Sequence, residues 1–152
     1  MIPRAWRGLG YGVALALGLL VALASPARAA LPIGDWLTQG RDGVIRIGPC
    51  GADLCGWIVG IGHFEADGSA PRAVGGRSQC QLAILTGLHQ EDEGVWQGTV
   101  TDPRDGTSYH ARVTLDPEGR LHMRGYVGIP LFGETQIWTR YAGRLTQDCH
   151  MR

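Results

Sequence analysis

Two sets of side chains have the type and spacing for chemistry. His63, Glu65 and Asp67 alternate along what reads as an extended segment, so all three can point one way. Such spacing suits a zinc or hard-metal site with one position left open. The plainer reading is a solvated polar loop, and that is the expectation here: no metal and no cofactor. The second set is His110, Arg112, His122 and Arg124. If a hairpin pairs Leu115 with Leu121, Arg112 faces Arg124 and His110 lies opposite Tyr126. Two opposed guanidiniums repel unless an anion lies between them, which would make a carboxylate or phosphate site. An outer wall neutralised by Asp102, Asp105 or Glu134 is the expected alternative. His89 and His150 have no signature partner.

Covalent chemistry has little support. There is no Gly-x-Ser-x-Gly, and a nucleophile without a partnered base is weak. No catalytic residue is assigned, and the expectation is a protein that is not an enzyme. Trp36, Trp57, Trp96 and Trp138 form an aromatic set on four candidate strands. Inside a small barrel such residues either line an apolar cavity or fill the interior. Trp36 is expected to point inward; the phases of the fifth and eighth strands leave the others open.

The elements that must position these groups lie behind an export signal. Arg4 and Arg7 precede an apolar run from Tyr11 to Ala24, and Ala27-Arg28-Ala29 supplies a small-x-small cleavage pattern. Residues 1–29 are therefore read as a signal peptide and 30–152 as one mature domain. A transmembrane anchor is the rival reading, but the run is short against the roughly 20 residues that span a bilayer, and Pro26 follows it. The expected location is the periplasm or outside the cell, with no stable membrane anchor after cleavage. The mature chain keeps eleven Arg, no Lys and fourteen Asp and Glu, a net charge of −3. A mildly acidic chain without a basic run argues against nucleic acid.

Cys50, Cys55, Cys80 and Cys149 all lie in the mature part. An even count in an oxidising compartment reads as two disulfides, with three pairings to choose from. Cys50–Cys55 and Cys80–Cys149 are favoured: the first pair flanks a tight Gly-Ala-Asp-Leu turn between strand-like runs, and the second would staple the C-terminal tail to the body. A redox pair is the sharper alternative, but the spacing is C-x4-C rather than C-x-x-C.

No segment of the mature chain reads as a helix. Apolar residues recur at two-residue spacing or in short runs between turn signals. Eight strands are expected at 34–39, 44–49, 54–61, 81–90, 94–102, 108–115, 121–127 and 134–141, with a long irregular stretch at 62–80. The clearest alternation places Tyr109, Ala111, Val113 and Leu115 on one face, continued by Leu121, Met123 and Val127. Eight sequential antiparallel strands leave two raw edges unless the sheet closes. The expected architecture is all-β, a small antiparallel eight-stranded barrel; a two-sheet sandwich is the alternative.

Several stretches resemble the bacterial exported family called domain of unknown function 2147. They are Gly34-Asp-Trp36-Leu-Thr; Pro49-Cys-Gly-Ala-Asp-Leu-Cys-Gly56 with its following Trp-Ile-Val; Trp96-Gln-Gly-Thr-Val-Thr-Asp-Pro103 with Gly106 and Tyr109; and Arg124-Gly-Tyr-Val-Gly128 running on to Gln136-Ile-Trp-Thr-Arg140. The resemblance implies a lipocalin-like barrel and no established activity. Lipocalins also place a Gly-x-Trp on the first strand and an Arg near the end of the last, as Gly34-Asp-Trp36 and Arg140 do here, and a guanidinium over the indole would close one mouth of the barrel.

The expected function is binding of a small apolar or amphipathic ligand in the envelope, through Trp36, Tyr109, Val113, Leu121, Met123 and Arg140. The alternative is a solid-core structural or interaction module that meets another envelope protein.

Overall fold

The computed structural model describes residues 29–152. The segment read as a signal peptide, apart from Ala29, lies outside the described residues. Eight strands follow in order: β1 (Gly34–Leu37), β2 (Gly43–Cys50), β3 (Asp53–Ile61), β4 (Ala83–Asp92), β5 (Val95–Thr101), β6 (Ser108–Leu115), β7 (Leu121–Tyr126) and β8 (Glu134–Arg140). One 3-10 turn, Pro130–Phe132, precedes β8. Each strand pairs antiparallel with the next, and β8 returns to β1, so the sheet closes as an up-and-down barrel. Closure removes both edges that an eight-strand meander would expose. Among the described residues no helix is long and apolar enough to cross a membrane.

Side-chain alternation fills the interior. The β6–β7 hairpin pairs Leu115 with Leu121, Val113 with Met123 and Arg112 with Arg124, the register the alternation predicts. Ala111, Val113 and Leu121 are fully buried, together with Trp36, Leu85 and Leu88. Val127 does not continue this face. β7 stops at Tyr126, the chain turns at Gly128 with φ 76°, and Val127 is exposed.

A second, outer cluster was not legible. Leu37, Val44 and Val59 are buried on the outside of β1–β3, packed against Trp57, Tyr141, Leu145 and Met151. The C-terminal tail provides the cover. Its two arms exchange hydrogen bonds between Arg144 and Arg152 at 2.8 and 2.9 Å, and the Ile61 N–H donates to the Cys149 carbonyl at 2.8 Å. Cys80–Cys149 fixes the tail to the body and Cys50–Cys55 clips the β2–β3 hairpin, the expected pairings. By the chain-entropy estimate the long loop contributes about 4 kcal/mol and the short one about 2 kcal/mol.

The stretch 62–80 is irregular but carries several internal hydrogen bonds. The Arg72↔Ser78 bridge makes a miniature hairpin, and the Val74 N–H donates to the Pro103 carbonyl at 2.9 Å, tying it to the β5–β6 turn.

Candidate functional site

In a closed meander the β1–β2, β3–β4, β5–β6 and β7–β8 connections share one end, and both termini of the barrel share the other. The terminal end is shut. Trp36 is fully buried and its indole N–H donates to the Pro32 carbonyl at 2.8 Å. Arg140, which pairs with Trp36 across the β1–β8 seam, sets its guanidinium over the indole, 3.8 Å from the ring centroid. The same guanidinium donates to the Ile33 carbonyl at 2.5 Å. Gly34 makes this possible: its φ is 128°, and a Cβ there would run into the Arg140 guanidinium. The Gly-x-Trp pattern is thus a physical requirement, with glycine leaving the space that arginine occupies. Above this floor Ile47, Leu54, Leu88, Val113 and Leu121 pack the lower barrel solid.

The opposite end holds a cavity of about 1030 Å³, at the upper limit of the usual range for small-molecule pockets. Ile45, Ile58, Ile84, Val100 and Met123 give it apolar walls, and Trp138 lies at its base. Gly125 is paired with Ala111 on one side and Glu134 on the other in one inward row, and Tyr109, two residues before Ala111, lies diagonally across from it. Gly125 contributes no side chain, and a Cβ there would meet Val100 and Tyr109 only at ordinary contact distance, 3.7 and 3.9 Å. That missing side chain helps keep the mouth open. Gln136 also faces inward, its Oε1 accepting the Trp138 indole N–H at 2.9 Å.

The rim is polar on one side and apolar on the other. Thr38, Asp42 and His63 contribute polar groups, as does the Asp102–Arg104 pair at 2.6 Å. The Arg104 guanidinium hydrogen-bonded to Asp102 holds that carboxyl below the usual range, against a smaller opposing effect of burial. Val127 and Phe132 form the apolar side.

Of the residues assigned to ligand binding from sequence, Tyr109 and Met123 line this cavity. Trp36, Val113 and Leu121 are fully buried in the floor and lower core, and Arg140 lies beneath the floor over Trp36. Gly125, Glu134 and Gln136 were missed, although the period-2 phase that puts Met123 inside also puts Gly125 inside. Of the four tryptophans, Trp36, Trp96 and Trp138 belong to the inner cluster and Trp57 to the outer one.

His63, Glu65 and Asp67 do not converge. Asp67 instead accepts the Ser69 N–H at 2.9 Å, and no group of three His, Cys, Asp or Glu among the described residues is placed to hold a metal. Arg112 and Arg124 do oppose each other, but the expected acids are not what Arg124 meets. Its guanidinium donates to the Pro130 carbonyl (2.6 Å), the Leu131 carbonyl (3.2 Å) and the Thr135 hydroxyl (2.7 Å). Glu134 faces the barrel interior. His150 stacks on Phe64 with centroids 4.0 Å apart.

A closed antiparallel barrel of eight strands, floored by a tryptophan–arginine pair and open at the other end, defines a lipocalin-like protein. Protein HP1028 of Helicobacter pylori, described as belonging to the lipocalin family, has a similar fold: TM-score 0.59 at 18% identity, over 72% of this chain and 82% of that one. The family described as "Uncharacterized protein conserved in bacteria (DUF2147)" matches residues 34–140, and the chain belongs to that family. A comparison with curated proteins finds no match.

Proposed function

We propose that this protein is a non-enzymatic, exported carrier that binds a small apolar or amphipathic ligand in the open half of its barrel. The observation that carries the reading is the cavity: about 1030 Å³, walled by apolar side chains, floored at one end and open at the other. Burying hydrocarbon there is favourable at roughly 25 cal/mol per Å², while Glu134, Gln136 and Tyr109 near the mouth offer hydrogen bonds to a polar head. Export to the periplasm or beyond is supported by the two disulfides and by the signal-like N-terminus. The lipocalin-like fold of HP1028 adds a fold-level analogy and nothing about the ligand.

Titration with a fluorescent fatty-acid probe tests the reading. Met123→Arg puts a charge on the cavity wall and should abolish binding. Gly125→Leu fills the mouth from a position with room for a Cβ, so it should block the probe while leaving the fold intact. Unchanged probe affinity in both variants would refute the cavity as the binding site.

A further inference from the structure

The charged groups of the cavity are predominantly of one sign. Its lining includes three carboxylates, Asp42, Asp102 and Glu134, against one guanidinium, Arg104. That guanidinium is already committed to Asp102, through bonds of 2.6 and 3.0 Å. The bond raises the Arg104 pKa, and the fields of Asp105 and Asp42 add to it. With His63 counted as neutral, the lining keeps two negative charges that none of its basic groups balances.

Glu134 stands where the head of a bound amphiphile would lie. On β8, Trp138, Gln136 and Glu134 face inward in turn, opposite Leu121, Met123 and Gly125. At about 3.3 Å per residue the carboxylate is roughly 13 Å along the strand from the indole at the base. The cavity walls around this column are apolar, with Ile45, Ile58, Ile84 and Val100 joining Met123. Arg124, beside Gly125 in β7, points outward and is held by the Pro130 and Leu131 carbonyls. Among the described residues no Arg or His forms an ion pair with Glu134. A carboxylate at the opening of an apolar cavity attracts a cation on the ligand, and a second anion brought there is repelled. An unpaired charge of this kind discriminates between ligands whose hydrocarbon parts are the same.

We propose that the cavity selects its ligand by charge: an amphiphile with an ammonium or similar cationic head, its hydrocarbon on the apolar walls and its head on the Glu134 carboxylate. This rests on the carrier reading above and adds to it the sign of the head group. An anionic amphiphile with the same chain gains the same apolar burial. The fatty-acid probe therefore enters too, but more weakly, with its own carboxylate set against Glu134 and Asp42.

Isothermal titration calorimetry with dodecylammonium and dodecanoate, one chain with two opposite heads, tests it, each titrated below its micelle concentration. Wild type should bind the ammonium at least about tenfold more tightly, and the difference should narrow in about 0.5 M NaCl, where charge is screened. Glu134→Gln alters an exposed side chain, so it should keep the wild-type circular dichroism yet lose most of the preference. Gly125→Leu should stop both ligands. Equal affinities in wild type, or a tighter dodecanoate, overturn the charge selection and leave the carrier reading in place. A preference that Glu134→Gln leaves unchanged does the same. Ammonium binding that survives in Gly125→Leu puts the cation outside the cavity and also overturns the proposal. If neither amphiphile binds wild type, the carrier reading fails and the selection falls with it.

Discussion

Arg140 stands over Trp36 at 3.8 Å from the ring centroid, joining the last strand to the first through a contact outside the backbone ladder. That ladder is short here: Trp36↔Arg140 and Leu37↔Thr139 are the two register pairs between β1 and β8. The stacked guanidinium and its bond to the Ile33 carbonyl therefore reinforce the weakest part of the ring. Arg140→Ala should cost about 1–2 kcal/mol in urea unfolding, and Gly34→Ala about 1–3 kcal/mol through its left-handed backbone and the displaced guanidinium. Because both disturb one contact, the double variant should lose less than the sum. Full additivity would mean that the two residues act independently.

Further along the same seam, Gln39 substitutes for a strand that has ended. Its side-chain oxygen accepts the Ile137 N–H at 2.9 Å, beyond the last residue of β1. Gln39→Ala should cost about 1 kcal/mol and speed hydrogen exchange at Ile137 selectively. Unchanged exchange there would show that the seam is held by other means.

The two disulfides should differ in weight. Cys80→Ala/Cys149→Ala opens a loop of 69 residues and releases the tail that covers Val44 and Val59. It should lower stability by about 4 kcal/mol and expose the Ile61 amide, which donates to Cys149. Cys50→Ala/Cys55→Ala should cost about 2 kcal/mol. Equal losses from the two pairs would contradict this ordering.

Acid should act through Asp116 at the β6–β7 turn. Burial resists its ionisation, but hydrogen bonds from His122 at 3.0 Å and from the Arg120 backbone and side chain outweigh that and draw its pKa down to about 2. A carboxyl with a folded-state pKa below its unfolded value of about 3.9 contributes stability above that pH and loses it as pH falls toward 2. Wild type should therefore weaken between about pH 4 and pH 2, and Asp116→Asn should show a shallower decline over that interval. Identical slopes in urea unfolding would rule the turn out as an acid-labile point.

The barrel was legible because most strands bury one face against the interior and the other meets water, so β6 and β7 alternate and their register follows from Leu115 and Leu121. Where both faces are covered, the pattern blurs. Val44-Ile45 and Ile58-Val59 read as plain apolar runs because the tail buries the outer member of each. Which inward residues meet a ligand-sized space, as Met123 does, and which meet each other, as Val113 and Leu121 do, depends on side-chain volumes from all eight strands at one level. No single strand carries that information. The partners of Arg124 were not legible for a similar reason: two of them are backbone carbonyls, which leave no mark on residue type.

The central claim is that the open half of the barrel carries a ligand, and native mass spectrometry of the exported protein, purified without detergent, tests it most directly. The account predicts a species heavier than the chain by on the order of a few hundred daltons, the size of ligand such a cavity suits, with the increment extractable as a lipid-like molecule and absent from Gly125→Leu. A protein of bare mass that takes up no offered fatty acid or phospholipid would contradict the account and leave a packed scaffold as the better description.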